Sequence, residues 1–146
     1  MRTGSAAFLT AMVVCALFTG SAVYGFNQED LNTLIQTGQC PRCDLSGANL
    51  SGLVLNGKDL VGANLSGANL SGANLSGTDM NGVNLSGANL NGAVLNGTDL
   101  SGTDLTGADL TKTELTKTDF SGAKLDNASW TDGQMCNPGS VETCNQ

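Results

Sequence analysis

The feature that most constrains this chain is a five-residue period that runs unbroken through most of its length. From Leu45 to Trp130 every fifth residue is large and apolar, nearly always Leu, which gives 18 consecutive centres. Gly stands two residues after each centre from Gly47 to Gly107. A period of five matches neither the 2.0 of a flat strand nor the 3.6 of an α-helix. It therefore predicts a chain that turns a corner at every repeat.

The other repeat positions indicate what kind of corner this is. In most repeats a small residue lies two positions before the centre, Asn or Asp one before it, and Ser, Thr or Asn one after it. In Leu-Ser-Gly-Ala, Ser and Gly suit the middle of a type II β-turn, whose second central residue needs a positive φ. Late in the chain the Gly is replaced by Lys112 and Lys117. Because Lys rarely takes a positive φ, we expect type I or irregular turns there.

This pattern resembles the pentapeptide-repeat family, written A-[D/N]-L-x-x, over residues 43–132. The resemblance implies an all-β solenoid, a right-handed quadrilateral β-helix with four pentapeptides per coil. A second period of 20 residues agrees with it, because a column of Ala recurs at that spacing: Ala48, Ala68, Ala88, Ala108 and Ala128. The 18 repeats would make about 4.5 coils, a shaft of roughly 22 Å at ~4.8 Å per coil.

The segments flanking the repeats are expected to protect the ends of the shaft, because open ends expose strand edges and core. Residues 26–42 are interpreted as an N-terminal helical cap, with a short helix between Asn27 as N-cap and Gly38 at its end. Residues 133–146 form a C-terminal tail. Lys58 stands at an inward position in the first coil, and we expect its ammonium to leave through the open end.

Residues 1–25 are interpreted as a signal peptide. Arg2 precedes an apolar run at residues 6–18, and small residues, among them Ala22 and Gly25, follow it. The run is shorter than the roughly 20 residues that span a bilayer, although an uncleaved membrane anchor remains an alternative. We expect export to a periplasm or thylakoid lumen, or less specifically secretion, with no membrane attachment after cleavage and a mature chain that starts near Phe26.

Four cysteines remain after the leader: Cys40, Cys43, Cys136 and Cys144. Disulfides are the default for cysteines in the oxidising compartments that exported proteins reach. Because the two pairs lie at opposite ends of the shaft, we expect Cys40–Cys43 and Cys136–Cys144. The C-x-x-C of the first pair leaves thiol–disulfide exchange as an alternative, and zinc is a third reading of the cysteines.

The function expected is that of a non-catalytic structural or protein-interaction module. The chain contains no His, so the usual nucleophile and base sets cannot be built, and we assign no catalytic residue, cofactor or metal. A net charge of −7 argues against nucleic acid as a partner, since phosphate binding needs Lys and Arg. Within the family, members that mimic DNA and bind DNA gyrase supply an alternative function.

One exposed column keeps its charge at every coil, and it is the candidate interaction face for an unknown protein partner: Asp59, Asp79, Asp99 and Asp119. A basic patch or hard cations would suit it. Solvation with local hydrogen bonds is the alternative, because charges ~4.8 Å apart repel by only ~0.9 kcal/mol in water. The sequence leaves the oligomeric state open.

Overall fold

The structure, a computed structural model, describes residues 25–146, and the predicted leader up to residue 24 lies outside them. Its one helix in this range is α1, Gln28–Thr37. The Asn27 side chain accepts a hydrogen bond from the Glu29 N–H. At the other end Gly38, with φ 72°, donates its N–H to the Leu34 carbonyl. The caps predicted from the sequence are therefore the ones that bound α1.

The repeats stack as parallel bridges between residues 20 apart, and none of the residues from 25 to 146 forms a strand longer than one bridge. We call the four resulting faces A to D. Face A joins Gln39, Asp59, Asp79, Asp99 and Asp119, and face B joins Asp44, Asn64, Asn84, Asp104 and Lys124. Face C joins Asn49, Asn69, Asn89, Asp109 and Ser129, and face D joins Val54, Asn74, Val94 and Glu114. The ladder thus begins at Gln39, inside the segment interpreted as the cap.

Residues 64–68 show how a typical repeat uses its five backbone N–H groups. The N–H groups of Leu65 and Gly67 donate to carbonyls of the next coil, and that of Asn64 donates to the previous coil. Ala68 N–H closes the β-turn onto the Leu65 carbonyl at 3.0 Å. The fifth donor, Ser66 N–H, bonds the Asn64 side-chain oxygen at 3.2 Å.

The prediction of a different turn at the late lysines is wrong. Lys112 and Lys117 both have φ 59°, in the left-handed region that the glycines occupy elsewhere. Lys112 N–H still donates to the Thr131 carbonyl at 3.0 Å, the ladder bond that a Gly makes one coil earlier. A Cβ built at Gly92, the equivalent position in that coil, meets nothing within 4 Å. The corner therefore leaves room for a side chain, and at Lys112 the ladder outweighs the conformational preference of Lys. Lys117 takes the same φ although its own N–H makes no ladder bond within residues 25–146, in a turn closed by Thr118 N–H on the Leu115 carbonyl at 3.2 Å.

The interior is filled by the centres and the small residues that precede them. Nearly all centre Leu side chains and the Ala column are buried. Face A instead carries Thr at the inward position, and each hydroxyl finds a carbonyl; Thr98 Oγ1, for example, donates to the Leu75 oxygen at 2.7 Å. Buried polar groups without a partner are costly, and no buried side-chain nitrogen or oxygen within residues 25–146 lacks one.

The half-buried Lys58 packs against the C-terminal end of α1. A Cβ built on Gly38 would lie 2.6 Å from both Cδ and Nζ of Lys58. A cation there interacts favourably with the helix dipole, and α1 has no basic residue in its own last turn. The lysine thus extends towards the N-terminal end of the shaft, as expected, and meets the helix there.

The C-terminal tail folds back over half of the last coil. Val141 pairs antiparallel with Lys124 on face B, and Met135 pairs antiparallel with Ser129 on face C. At this end the rings of Phe120 and Trp130 lie with centroids 5.6 Å apart. Faces B and C are therefore covered by an added strand, whereas faces A and D end on the last coil. No helix between residues 25 and 146 has the length and hydropathy to cross a membrane.

Candidate functional site

The four aspartates of the candidate interaction face lie on face A, each bridged to the next. Asp79 and Asp119 are exposed, and Asp59 and Asp99 are half-buried. Successive carboxylates are thus separated along the shaft by one coil, roughly 4.8 Å. The structure brings all four predicted residues together as one column.

Each of these carboxylates also closes a local turn through its Oδ1 atom. The donor is the backbone N–H two residues further along, at 2.8 to 3.1 Å: Val61, Asn81, Ser101 and Ser121. The hydroxyls of Ser101 and Ser121 donate to the same oxygens. Local hydrogen bonds were the alternative reading of this column in the sequence, and the structure shows them at all four positions; Asp and Asn are the residues that form such turns.

The turn explains why the repeat favours Asn or Asp at this position. The fifth N–H of a repeat has no backbone acceptor, and an Asn or Asp side chain supplies one; on face D, Val54 and Val94 stand at this position and cannot. Asn69, on face C, accepts the Ser71 N–H at 3.1 Å in the same way. Because an amide oxygen accepts the same bond, the turns of face A can form without negative charge.

The electrostatics at the C-terminal end of the column favour the ionised form. The Ser121 hydroxyl and then the Ser121 N–H lower the pKa of Asp119 below its ordinary value. On face B the Thr106 hydroxyl lowers the pKa of Asp104 in the same way, and the charge of Lys124 adds to it. No Lys or Arg occurs between Lys58 and Lys112. The middle of the shaft therefore carries acidic side chains without a basic residue in its own coils.

The cysteines form two disulfides, Cys40–Cys43 and Cys136–Cys144, the pairs expected from the sequence. Cys40 is 1% exposed and Cys43 9%, and the Cys40 sulfur lies 3.2 Å from the Asp30 carbonyl oxygen of α1. A disulfide beneath a helix is poorly placed for attack by an external thiolate, which exchange requires. With all four sulfurs in disulfides, no thiolate remains for a zinc site. Within residues 25–146 no three acidic, His or Cys side chains group as metal ligands.

Comparison with known proteins identifies the repeat. The family model described as "Pentapeptide repeats" matches eight copies, at residues 43–82, 80–116 and 93–131. A crystal structure of the pentapeptide repeat protein Rfr23 from the cyanobacterium Cyanothece 51142 is 31% identical. It covers 70% of this chain and 97% of its own, with a TM-score of 0.50. No curated protein matches.

Two further solved structures are similar in sequence. A pentapeptide repeat protein from the Arabidopsis thaliana thylakoid lumen is 33% identical, over 69% of this chain and 71% of its own, with a TM-score of 0.39. One from Nostoc is 36% identical, over 64% and 78%, with a TM-score of 0.35. Pentapeptide repeat proteins adopt right-handed quadrilateral β-helices and are generally structural or interaction modules. With its repeats matched from residue 43 to 131, the chain belongs to the pentapeptide repeat family.

Proposed function

We propose that this protein is an exported, non-catalytic interaction module that binds a basic protein partner through the four aspartates of face A. Its shaft of about 4.5 coils serves as a rigid rod, α1 covers the first coil, and the tail of residues 133–146 protects part of the last. The observation that carries the proposal is that face A keeps a carboxylate at four successive bridges, whereas an amide would satisfy the same turns.

A binding role for the charge follows from what the fold leaves unexplained. The Asx turns account for one oxygen of each side chain and for the choice between Asn or Asp and other residues. They do not account for Asp at all four of these positions on face A when faces B and C together have Asn at five of their ten positions and Asp at three. A row of like charges along a rigid wall gives a directional negative field, which would steer and orient a basic surface.

Thiol chemistry is the weaker proposal for the C-x-x-C. Its disulfide lies in the first coil beneath α1, and closing it ties the helix connection to the start of the ladder. We therefore assign Cys40–Cys43 and Cys136–Cys144 structural roles at the two ends of the shaft. Titration of the exported protein with a thiol reagent under non-reducing conditions should detect no free cysteine; four free thiols would revive redox chemistry.

Export is proposed from the leader pattern of residues 1–25, and the periplasm or thylakoid lumen is the proposed destination. The expected mature chain starts near Phe26. Intact-mass analysis of the soluble protein checks this directly, and a soluble protein that retains Met1 would contradict it.

The docking face is tested by replacing Asp59, Asp79, Asp99 and Asp119 together by Asn. The Asx turns should survive, so the melting temperature should stay close to that of the wild type. A partner captured from periplasmic or lumenal extract should be lost, and its binding to wild type should weaken as salt rises.

The chain offers a matched control with the same change in net charge. Asp44, Asp104, Asp109 and Asp132 each accept the N–H two residues on, in the same kind of turn, but lie outside face A. Their fourfold replacement by Asn should leave binding largely intact. If both fourfold variants bind the partner equally, only overall charge matters, and face A is a solvated wall.

A further inference from the structure

The last coil ends in an open sheet edge on two of its four faces. In the coil before it, Leu95 and Leu100 donate their N–H groups to the next coil at 2.8 Å. The corresponding N–H groups of Leu115, Lys117 and Phe120 donate to no acceptor in the part of the chain that the structure describes. Faces D and A therefore present unpaired backbone donors, and the side chains of Leu115 and Phe120 are only half-buried.

The tail that covers the other two faces has an open outer edge of its own. Its inward residues bond the coil, as Cys136 N–H does to the Ala128 carbonyl at 2.8 Å. Met135 and Val141 alternate with them, and their N–H groups find no acceptor among residues 25–146. Their side chains are 62% and 49% exposed. The C-terminal end of the shaft is thus a step, one strand higher on faces B and C than on faces D and A.

We propose that two copies of this chain join at their C-terminal ends around a two-fold axis, with the tail of each completing the open half of the other. The axis is perpendicular to the shaft and passes through the corner between faces C and D. It places the part of the partner's tail that covers the partner's face C on face D of the first copy. It places the part that covers the partner's face B on face A. Each raised half then fills the lowered half opposite, as an isologous contact requires.

Strand direction supports this arrangement. The tail runs antiparallel to the coil it covers. The two-fold axis makes the partner's coil run in the opposite direction to the open edge of the first copy. The partner's tail therefore runs parallel to the open edge, the direction of the other shaft ladders. The new contact continues the pattern that already stacks the coils.

The backbone groups match at this register. In a parallel ladder one residue donates to, and accepts from, the two neighbours of the residue it faces. Opposite Glu114, the partner's Met135 would donate to the Thr113 carbonyl and accept from Leu115 N–H. On face A the partner's Val141 N–H would reach the Thr118 carbonyl. Both carbonyls lack a donor among the described residues.

Charge and packing also support this dimer. The axis brings Lys117, at the corner of faces D and A, towards Asp126 of the partner, at the corner of faces B and C. Three of the chain's six basic residues lie between 112 and 124. The contact would also bury the half-exposed Leu115 and Phe120, and it removes an edge that would otherwise invite aggregation.

The test is the oligomeric state of the purified protein, by light scattering after size-exclusion chromatography over a range of concentrations. The wild type should show twice the chain mass. Met135→Pro removes a donor that has no acceptor among residues 25–146, so the fold should survive while the dimer dissociation constant rises at least about tenfold. Met135→Ala keeps the N–H and is the control, and it should remain dimeric.

A second measurement fixes the geometry. Glu114→Cys chains mixed with Met135→Cys chains should be joined by a short thiol cross-linker, whereas neither chain alone should cross-link. A monomeric wild type at every concentration overturns the proposal. So does a folded Met135→Pro variant that dimerises like wild type, or a mixture that fails to cross-link.

Discussion

Replacing Lys112 by Gly should stabilise the protein. Lys112 holds φ 59° at a corner where the preceding coil has Gly92 at φ 67°. A left-handed conformation costs an L-residue about 1–2 kcal/mol. Gly removes that cost but loses about 0.5–1 kcal/mol more conformational freedom on folding. Because Lys112 is exposed, little packing is lost, and the net expected gain is about 0.5–1 kcal/mol.

Thermal and urea unfolding would measure this gain, with an expected rise in melting temperature of about 2–6 °C. Lys112→Ala is the control, because it removes the same charge and most of the side chain but keeps the left-handed strain. It should leave the free energy of unfolding within about 0.5 kcal/mol of wild type. The reciprocal change, Gly92→Ala, should cost about 1 kcal/mol.

The reasoning fails if Lys112→Gly and Lys112→Ala have the same stability. The strain would then be absent at this corner, or the turn in solution would not be the left-handed one. A loss of stability in Lys112→Gly alone would show that unfolded-state entropy outweighs the strain, which would reverse the sign of the argument.

Three other changes test the interior, the disulfides and the carboxylates. Thr98→Val loses the hydrogen bond to the Leu75 carbonyl, so it should lower the free energy of unfolding in urea by about 0.5–1.5 kcal/mol. Thr98→Ser should keep that bond, and a Thr98→Val variant as stable as wild type would contradict the prediction. Replacing Cys136 and Cys144 by Ser should cost about 2–3 kcal/mol by the loop-entropy relation for a separation of 8 residues, and an unchanged melting temperature would refute a role in holding the tail. The Thr106 hydroxyl holds the pKa of Asp104 lower in the folded protein than in the unfolded chain. Its contribution to stability is therefore present above its ordinary pKa and lost as pH falls through the lower, folded pKa, so in urea unfolding at successive pH values Asp104→Asn should flatten the acid side of the stability curve.

The sequence predicted most of the shaft because the repeat states its own geometry. A Leu every fifth residue with Gly two later requires a corner per repeat, and the 20-residue recurrence places four repeats in a coil. The helix α1 was also predictable, since Asn27 and Gly38 are strong caps. These signals are local and depend on few neighbours.

What sequence reasoning missed depends on hydrogen bonds between distant segments. The bridge of Gln39 to Asp59 follows from backbone contact across 20 residues, and Pro41 and Arg42 conceal the repeat around Cys40. The antiparallel return of Met135 and Val141 has no periodic signal at all. At Lys112 the ladder bond to the next coil decided the backbone, where a propensity argument considered the residue alone.

The hydrogen-bonding scheme of the repeat also indicates where function can reside. The Leu, the small residue and the turn Gly are favoured by packing and φ, and Asn or Asp is favoured by the fifth N–H. Where the fifth N–H is bonded in this way, the fold leaves the choice between amide and carboxylate free, and it also leaves free the groups at the two ends. Face A has a carboxylate rather than an amide at four successive positions. At the C-terminal step, backbone donors remain unpaired within residues 25–146. The fold accounts for neither feature, so binding is sought on that wall and at that end rather than in the repeated Ser, Thr and Asn of the corners.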